Sequence, residues 1–381
     1  MILKRIVSFL TSLRVTVVCL TLALALVFFG TLAQVDLGLY KAQNEFFRSF
    51  LIYWGPKGAS WKIPVFPGGY LVGSVLMANL VAAHIQRFRL EKKKIGIVMI
   101  HTGLIAMILG QLLTDLMARE STMHIRVGAT RNYSESSREF EIAAVDVSDP
   151  KTDKVVAIPE EVVAKSKVIQ HPEMPFSITI QQFFPNSAVS KTNEAGFTQV
   201  PLTSSNEPAL WWKEIPRVTT TEERDLASAL VELKTPQGSL GNMLVSAYLD
   251  AHALQIGNKV FEISLRPKRH YKPFSLHLEN FNHGVYKGTM VAKDYSSTVK
   301  LQRPETGENR EVRIYMNNPL RYNGETFYQA SYDPDDGGTI LQVVHNPSWL
   351  TPYISCGLVG LGMFVQFGMS LYGFIKKRVK A

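Results

Sequence analysis

Cysteine is nearly absent: Cys19 and Cys356 are the only two in 381 residues. No disulfide framework, zinc ribbon or CxxCH haem-attachment motif can be assembled from such a pair. Charge is scarce as well, at 19% of residues, against roughly a quarter in an ordinary soluble domain. The sequence has no GxSxG, HExxH or P-loop, and no GxGxxG in a strand-turn-helix context. Hydrolytic and phosphoryl-transfer chemistry therefore have no visible seat. Internal repeats and low-complexity tracts are missing too. What is abundant is apolar surface, 46% of residues, which excludes disorder and argues for a chain with part of its mass in lipid.

The formal net charge of +9 is concentrated at a few places. Lys4, Arg5, Arg87, Arg89, Lys92, Lys93, Lys94, Lys376, Lys377, Arg378 and Lys380 border apolar runs, opposed there only by Glu91. The remainder of the chain is within one charge of neutrality. Such placement is a membrane-orientation signal, not a nucleic-acid footprint.

Four runs are long enough to cross a bilayer as helices, which takes roughly 20 residues. They run from about Val15 to Ala33, Gly69 to Ile85, Ile95 to Leu116 and Pro352 to Ile375. The second is the weakest, interrupted by Asn79 and His84. The first is too long for a signal-peptide core of roughly 7–15 residues and reads as a retained helix. The basic clusters put the N-terminus, the Arg87–Lys94 loop and the Lys376–Lys380 tail on the cytoplasmic side. Residues 34–68 and 117–350 then lie outside, where a domain free of cysteine is at ease. The expected organisation is a membrane protein with three helices in 1–116, an extracytoplasmic domain in 117–350, and a fourth helix with a basic tail in 351–381.

In the first outer loop, Phe46, Phe47, Phe50, Leu51 and Trp54 recur at i, i+1, i+4, i+5 and i+8. That spacing predicts an amphipathic helix, lying in the interface or packed under the outer domain. The large block reads as mainly β. Val260–Leu265, Ser297–Leu301, Glu311–Met316 and Thr326–Tyr332 are alternating or aromatic β-favouring runs. Asn323-Gly324, Thr306-Gly307 and Asp336-Gly337-Gly338 punctuate them as turns. Asp225–Leu233 reads as a short helix. The default architecture is a β-sandwich or barrel-like domain.

Ionisable residues inside crossings are functional candidates by default. His101 lies about six residues into the third crossing, and His84 near the inner end of the second. They flank the intervening loop at nearly equal spacing, so an antiparallel hairpin holds them at similar depth. A neutral imidazole offers a ring-nitrogen lone pair and is a good axial ligand for haem iron. The bland alternatives are a helix–helix hydrogen bond for His101 and an interfacial, snorkelling role for His84. Asn79, Gln111 and Gln366 read as helix–helix hydrogen-bonding groups. Outside the crossings, His277 and His283, six apart, are a weak metal pattern. Asp333, Asp335 and Asp336 suit a solvated turn better than a calcium loop. Trp211-Trp212 fits either a partner surface or a core.

Several stretches, in their order against the four crossings, carry a family resemblance. Thr11-Ser12-Leu13-Arg14 and Phe29-Gly30-Thr31-Leu32-Ala33-Gln34 bracket the first crossing. Phe66-Pro67-Gly68-Gly69 and Asn79 mark the second, and Lys94-Ile95-Gly96, His101-Thr102-Gly103 and Gly110 the third. The run from Asn317 to Tyr332, holding Pro319-Leu320, Tyr322, Gly324 and Phe327-Tyr328-Gln329, precedes the last. The chain resembles the ResB family of cytochrome c biogenesis proteins, of the system II (Ccs) haem-attachment pathway. Residues 150–250 carry no part of the likeness.

The resemblance implies a haem-transport subunit of the bacterial cytoplasmic membrane, working with a CcsA/ResC-type partner. Together they would carry haem b outward and present it to the CxxCH thiols of apocytochrome c. The partner would supply a tryptophan-rich WWD segment. Here Trp211-Trp212 runs into Lys213-Glu214, which implies an unfused subunit of a haem lyase (cytochrome c synthase), not an autonomous enzyme. The family's third-crossing haem ligand maps onto His101, with the second ligand from the partner. The family's extramembrane haem-linked cysteine has no counterpart. Two competing readings remain open: a haem b electron-transfer subunit ligated by both His84 and His101, and a cofactor-free assembly scaffold.

Overall fold

The computed structural model describes residues 8–56, 61–87, 94–150, 152–203, 209–219, 224–288 and 292–380. Of the basic residues bordering the apolar runs, Lys4, Arg5, Arg89, Lys92 and Lys93 lie outside the described residues. The chain divides into two compact units, one holding the long helices and one running from Arg119 to His345.

All four apolar runs form helices: α1 (Leu13–Leu37), α2 (Gly69–Arg87), α3 (Ile95–Met117) and α4 (Thr351–Lys380). Each is long and apolar enough to cross a membrane. Ser12 caps α1, its Oγ accepting from the Arg14 N–H at 3.3 Å. Gly38, at φ 75°, turns the chain out of α1 and returns its N–H to the Gln34 carbonyl. Large apolar side chains along the helices, Phe28, Phe29, Phe364 and Phe367 among them, are exposed. In water that would be costly, and in hydrocarbon it is the expected surface.

Two pairings order the helices. The first joins α1 and α2 through Val15, Cys19 and Val72, with Asn79 as its polar centre. Asn79 is 2% exposed. Its amide donates to the carbonyls of Leu10 and Ser12, and its Oδ1 accepts from the Thr16 hydroxyl at 2.6 Å. This is the helix–helix role the sequence suggests, made with backbone carbonyls just before α1. Asn79→Ala removes the amide from the Leu10 carbonyl and the acceptor from the Thr16 hydroxyl together. We expect a loss of about 1–2 kcal/mol, read as a lower melting temperature in detergent.

The second pairing joins α3 and α4 as antiparallel neighbours. Gly96, Gly103 and Gly110, seven apart, are the buried residues of α3. A Cβ on Gly96 would meet the Gly362 carbonyl at 2.7 Å. One on Gly103 would meet Val359 at 2.8 Å, and one on Gly110 would meet Thr351 at 2.3 Å. Only hydrogen fits, so the backbones approach closely along one stripe. Gln366 packs at the Gly96 end of this seam.

The Met117 end of α3 is tied down by polar contacts. Asp115 pairs with Arg48 at 2.6 Å and accepts from the Tyr70 hydroxyl at the start of α2. Ser348 bonds Thr114 at 2.8 Å and the Gly110 carbonyl at 3.3 Å, just before α4 begins.

The amphipathic helix expected at Phe46–Trp54 is not formed. A short helical turn at Leu39–Ala42 continues as a π-turn over Gln43–Phe47 and stops at Arg48. The chain then extends as β1 (Leu51–Trp54), pairing antiparallel with β2 (Ile63–Pro67). Leu-Ile-Tyr-Trp has strong strand preference, and the partner strand converts that preference into structure. The aromatic spacing satisfied a helical template only by coincidence.

The second unit is mainly β, as read from the sequence. Its largest sheet has the core order β16 (Glu308–Tyr315), β15 (Ala292–Arg303), β14 (Lys259–Val285), β4 (Thr130–Asp146), β3 (Arg119–Arg126), β19 (Gly338–His345), β18 (Glu325–Tyr332) and β17 (Leu320–Tyr322). Two further strands, β5 (Lys154–Pro159) and β13 (His252–Ile256), pair with β4 and β14. A four-stranded sheet is ordered β12 (Gly238–Ser246), β11 (Ser228–Thr235), β7 (Ser177–Phe184), β6 (Val168–Ile169). A small sheet holds β8 (Ser187–Ser190), β10 (Trp211–Glu214) and β9 (Thr198–Gln199). The four predicted strand runs fall in β14, β15, β16 and β18, except that Met316 lies just past the end of β16. The Asn323-Gly324 turn joins β17 to β18 with φ of 51° and 76°, the paired left-handed turn that favours Asn-Gly.

The helix expected at Asp225–Leu233 is instead the central strand β11, hydrogen-bonded to β12 and β7. Ala229, Leu230, Val231 and Leu233 are all buried. A strand covered on both faces shows a continuous apolar run, which periodicity cannot separate from a buried helix. Trp212 is 3% exposed and packs on Phe184 at 4.5 Å between ring centroids, so of its two readings the core one holds.

Candidate functional site

The two histidines carried by the apolar helices meet. The ring centroids of His84 and His101 are 6.4 Å apart and their planes are inclined by 36°. The seam described above explains the orientation of His101. Gly103 faces α4, and two residues earlier is about 200° around a helix of 3.6 residues per turn. His101 therefore points away from α4 and toward α2, which carries His84.

His101 Nδ1 lies 2.8 Å from the Ile97 carbonyl, one turn back. A carbonyl only accepts, so Nδ1 donates, and in a neutral ring this places the lone pair on Nε2. A backbone carbonyl holding Nδ1–H is the usual way of orienting an imidazole that ligates a metal through Nε2. The pair brings two imidazole donors together on neighbouring apolar helices.

The remaining candidates separate. His277 Nδ1 contacts the Thr130 hydroxyl at 2.9 Å, whereas His283 Nδ1 contacts Asp336 at 3.0 Å. The two share no site. Asp333 faces His124 at 2.9 Å and Arg126 at 3.3 Å, and Arg126 also pairs with Asp335 at 2.8 Å. Protein cations thus engage both of these carboxylates. The guanidinium and the Gly337 N–H hold the Asp335 carboxyl below the usual range.

Sequence reasoning passed over a polar cavity of about 430 Å3 in the β unit. Arg119, Arg269, His270, Lys272, Glu325 and His345 line it. They come from four strands, and no spacing in the chain groups them. Only Glu325, inside the Asn317–Tyr332 run, carried a signal.

Comparison with known proteins agrees with the architecture. Residues 237–340 match the ResB-like family model, a stretch from β12 to β19 that includes most walls of this cavity. Over 292 residues, 76% of the chain, the sequence is 25% identical to Protein NrfI of Wolinella succinogenes. The match takes up 29% of that protein, so the chain spans less than a third of its relative's length. The short motifs, their order along the helices and these two matches point the same way: the chain is similar to the ResB-like family, most directly over residues 237–340.

Proposed function

We propose that the chain is a membrane subunit of cytochrome c biogenesis that holds haem b in transit across the bacterial cytoplasmic membrane. The observation that carries this reading is the His84–His101 pair within apolar helices, with His101 Nδ1 committed to the Ile97 carbonyl. In this reading His101 would hold the haem iron from this chain, and a CcsA/ResC-type membrane protein with a WWD segment would supply a second ligand. The bound haem supplies vinyl groups for thioether attachment to a CxxCH apocytochrome c.

The chain's own residues bind and orient. Ile97 fixes the His101 tautomer, and the glycine seam fixes its direction. The apolar helix surfaces exclude water. The β unit lies on the outer side and offers a surface to the partner or the apocytochrome.

A second reading has specific support: the 6.4 Å separation also suits ligation of one haem by both histidines within this chain. It would make the protein a haem b electron-transfer subunit. The reduced-minus-oxidised absorption spectrum separates the two. The full chain is purified in detergent, alone and co-expressed with a WWD-type partner. A b-type signal that needs the partner supports the transit subunit. A signal from the chain alone supports the electron-transfer reading. No signal in either preparation sinks both and leaves a scaffold.

A further inference from the structure

The cavity in the β unit is built from residues distant in sequence but adjacent in the sheet. Glu325, His345 and Arg119 are register partners across β18, β19 and β3, so their side chains share one face. Strand β14 crosses with Arg269, His270 and Lys272, just where its pairing with β4 shifts register between Tyr271 and Leu276. Lys272, with a side chain only 3% exposed, reaches Glu325 at 2.7 Å. Arg269 is held by Glu135 at 3.1 Å and lies over the Tyr133 ring at 4.2 Å.

The balance of charge in this wall is positive. Arg119, Arg269 and Lys272 face the cavity with Glu325 as its single lining carboxylate. Among the described residues, no side-chain hydrogen bond or ion pair engages Arg119, His270 or His345. Burial, and then the charges of Arg119, Lys268 and Lys272, push the His270 imidazole below its ordinary pKa. Burial likewise lowers the Lys272 ammonium, against the pull of Glu325. Glu325 and Glu135 balance Lys272 and Arg269, so Arg119, beside uncommitted ring nitrogens, is the cation of this wall that lacks a counter-charge.

The geometry points to a binding site for a ligand bearing an oxyanion, a carboxylate or phosphate group, with Arg119 as its principal partner. Arg119 presents a planar fork of donors suited to either group. Lys272 and Arg269 offer further N–H donors from positions already fixed by Glu325 and Glu135, so no rearrangement is needed on binding. The volume leaves room for the body of a small ligand behind the oxyanion. This assignment extends beyond the haem-handling reading and does not depend on it.

The test uses the full chain in detergent. Calorimetric titration with inorganic phosphate and with succinate is compared for wild type, Arg119→Gln, His345→Gln and, as an exposed control outside the cavity, Arg321→Gln. Saturable binding that weakens about tenfold in Arg119→Gln, the worth of one charge-assisted hydrogen bond, and is unchanged in Arg321→Gln supports the site. It also identifies a free anion as the ligand source. A parallel arm places the protein in phosphatidylglycerol or phosphatidylcholine nanodiscs. A melting temperature raised by phosphatidylglycerol in wild type but not in Arg119→Gln supports the same site with a lipid headgroup as source. Binding in neither arm, or binding that Arg119→Gln leaves intact, overturns it.

Discussion

His101→Ala is expected to remove the b-type haem signal from the purified protein, in complex with its partner, by more than tenfold relative to wild type. On the proposed reading His101 would supply one of the iron's nitrogen ligands, and its loss would leave nothing in this position to replace that nitrogen. The informative comparison is His84→Ala. Where His84 is only a neighbour, its removal leaves the signal intact and changes at most the band position. Where both rings ligate one iron, the two substitutions are equivalent. A His101→Ala protein that keeps a wild-type spectrum would refute both haem readings. Exogenous imidazole is expected to restore part of the signal, because it supplies the missing nitrogen without the tether. A protein that had merely misfolded would not respond to it.

The second large effect belongs to the α3–α4 seam, and its sign is the test. Gly103→Leu must displace the Ser355 carbonyl, which a Cβ alone would approach to 2.9 Å. Backbone yields poorly, so overpacking of about 1–3 kcal/mol is a lower bound for so large a side chain. Gly357 and Gly360 on α4 offer an internal control, since a Cβ there meets nothing within 4 Å. Alanine at either should be neutral or stabilising by up to about 1 kcal/mol, the helix-propensity difference from glycine. Thermal unfolding in detergent distinguishes the two classes. If Gly103→Leu melts with wild type, the close approach of α3 and α4 is refuted. Because the seam also turns His101 toward α2, the same variant is expected to lose haem even where it still folds.

What the sequence made legible tracks the physics of each signal. The four crossings were visible because hydrocarbon demands an uninterrupted apolar stretch, a constraint that acts locally. The strands from Val260 to Tyr332 were visible because alternation, aromatics and Asn-Gly turns are also local. The meeting of His84 and His101 followed from their symmetric placement about one short loop. The failures were cases where a partner decided the outcome. Leu51–Trp54 is a strand because Ile63–Pro67 lies beside it. Ser228–Thr235 is a strand because β7 and β12 cover both its edges. The cationic cavity was invisible for the same reason: Arg119 and His345 are neighbours only through the β3–β19 ladder.

That ladder has a consequence for how the protein is made. Strand β3 opens the β unit and β19 closes it, and they pair residue for residue from Arg119↔His345 to Arg126↔Gly338. More than two hundred residues separate the partners. Contacts so remote in sequence are slow to form, because the closure entropy of the intervening chain is spent before any of them contributes. During synthesis β3 emerges long before its mate, and an unpaired strand edge is prone to mispairing. The unit is therefore expected to acquire protease resistance in one late step, when β19 docks, and chains truncated before Gly338 should remain digestible throughout.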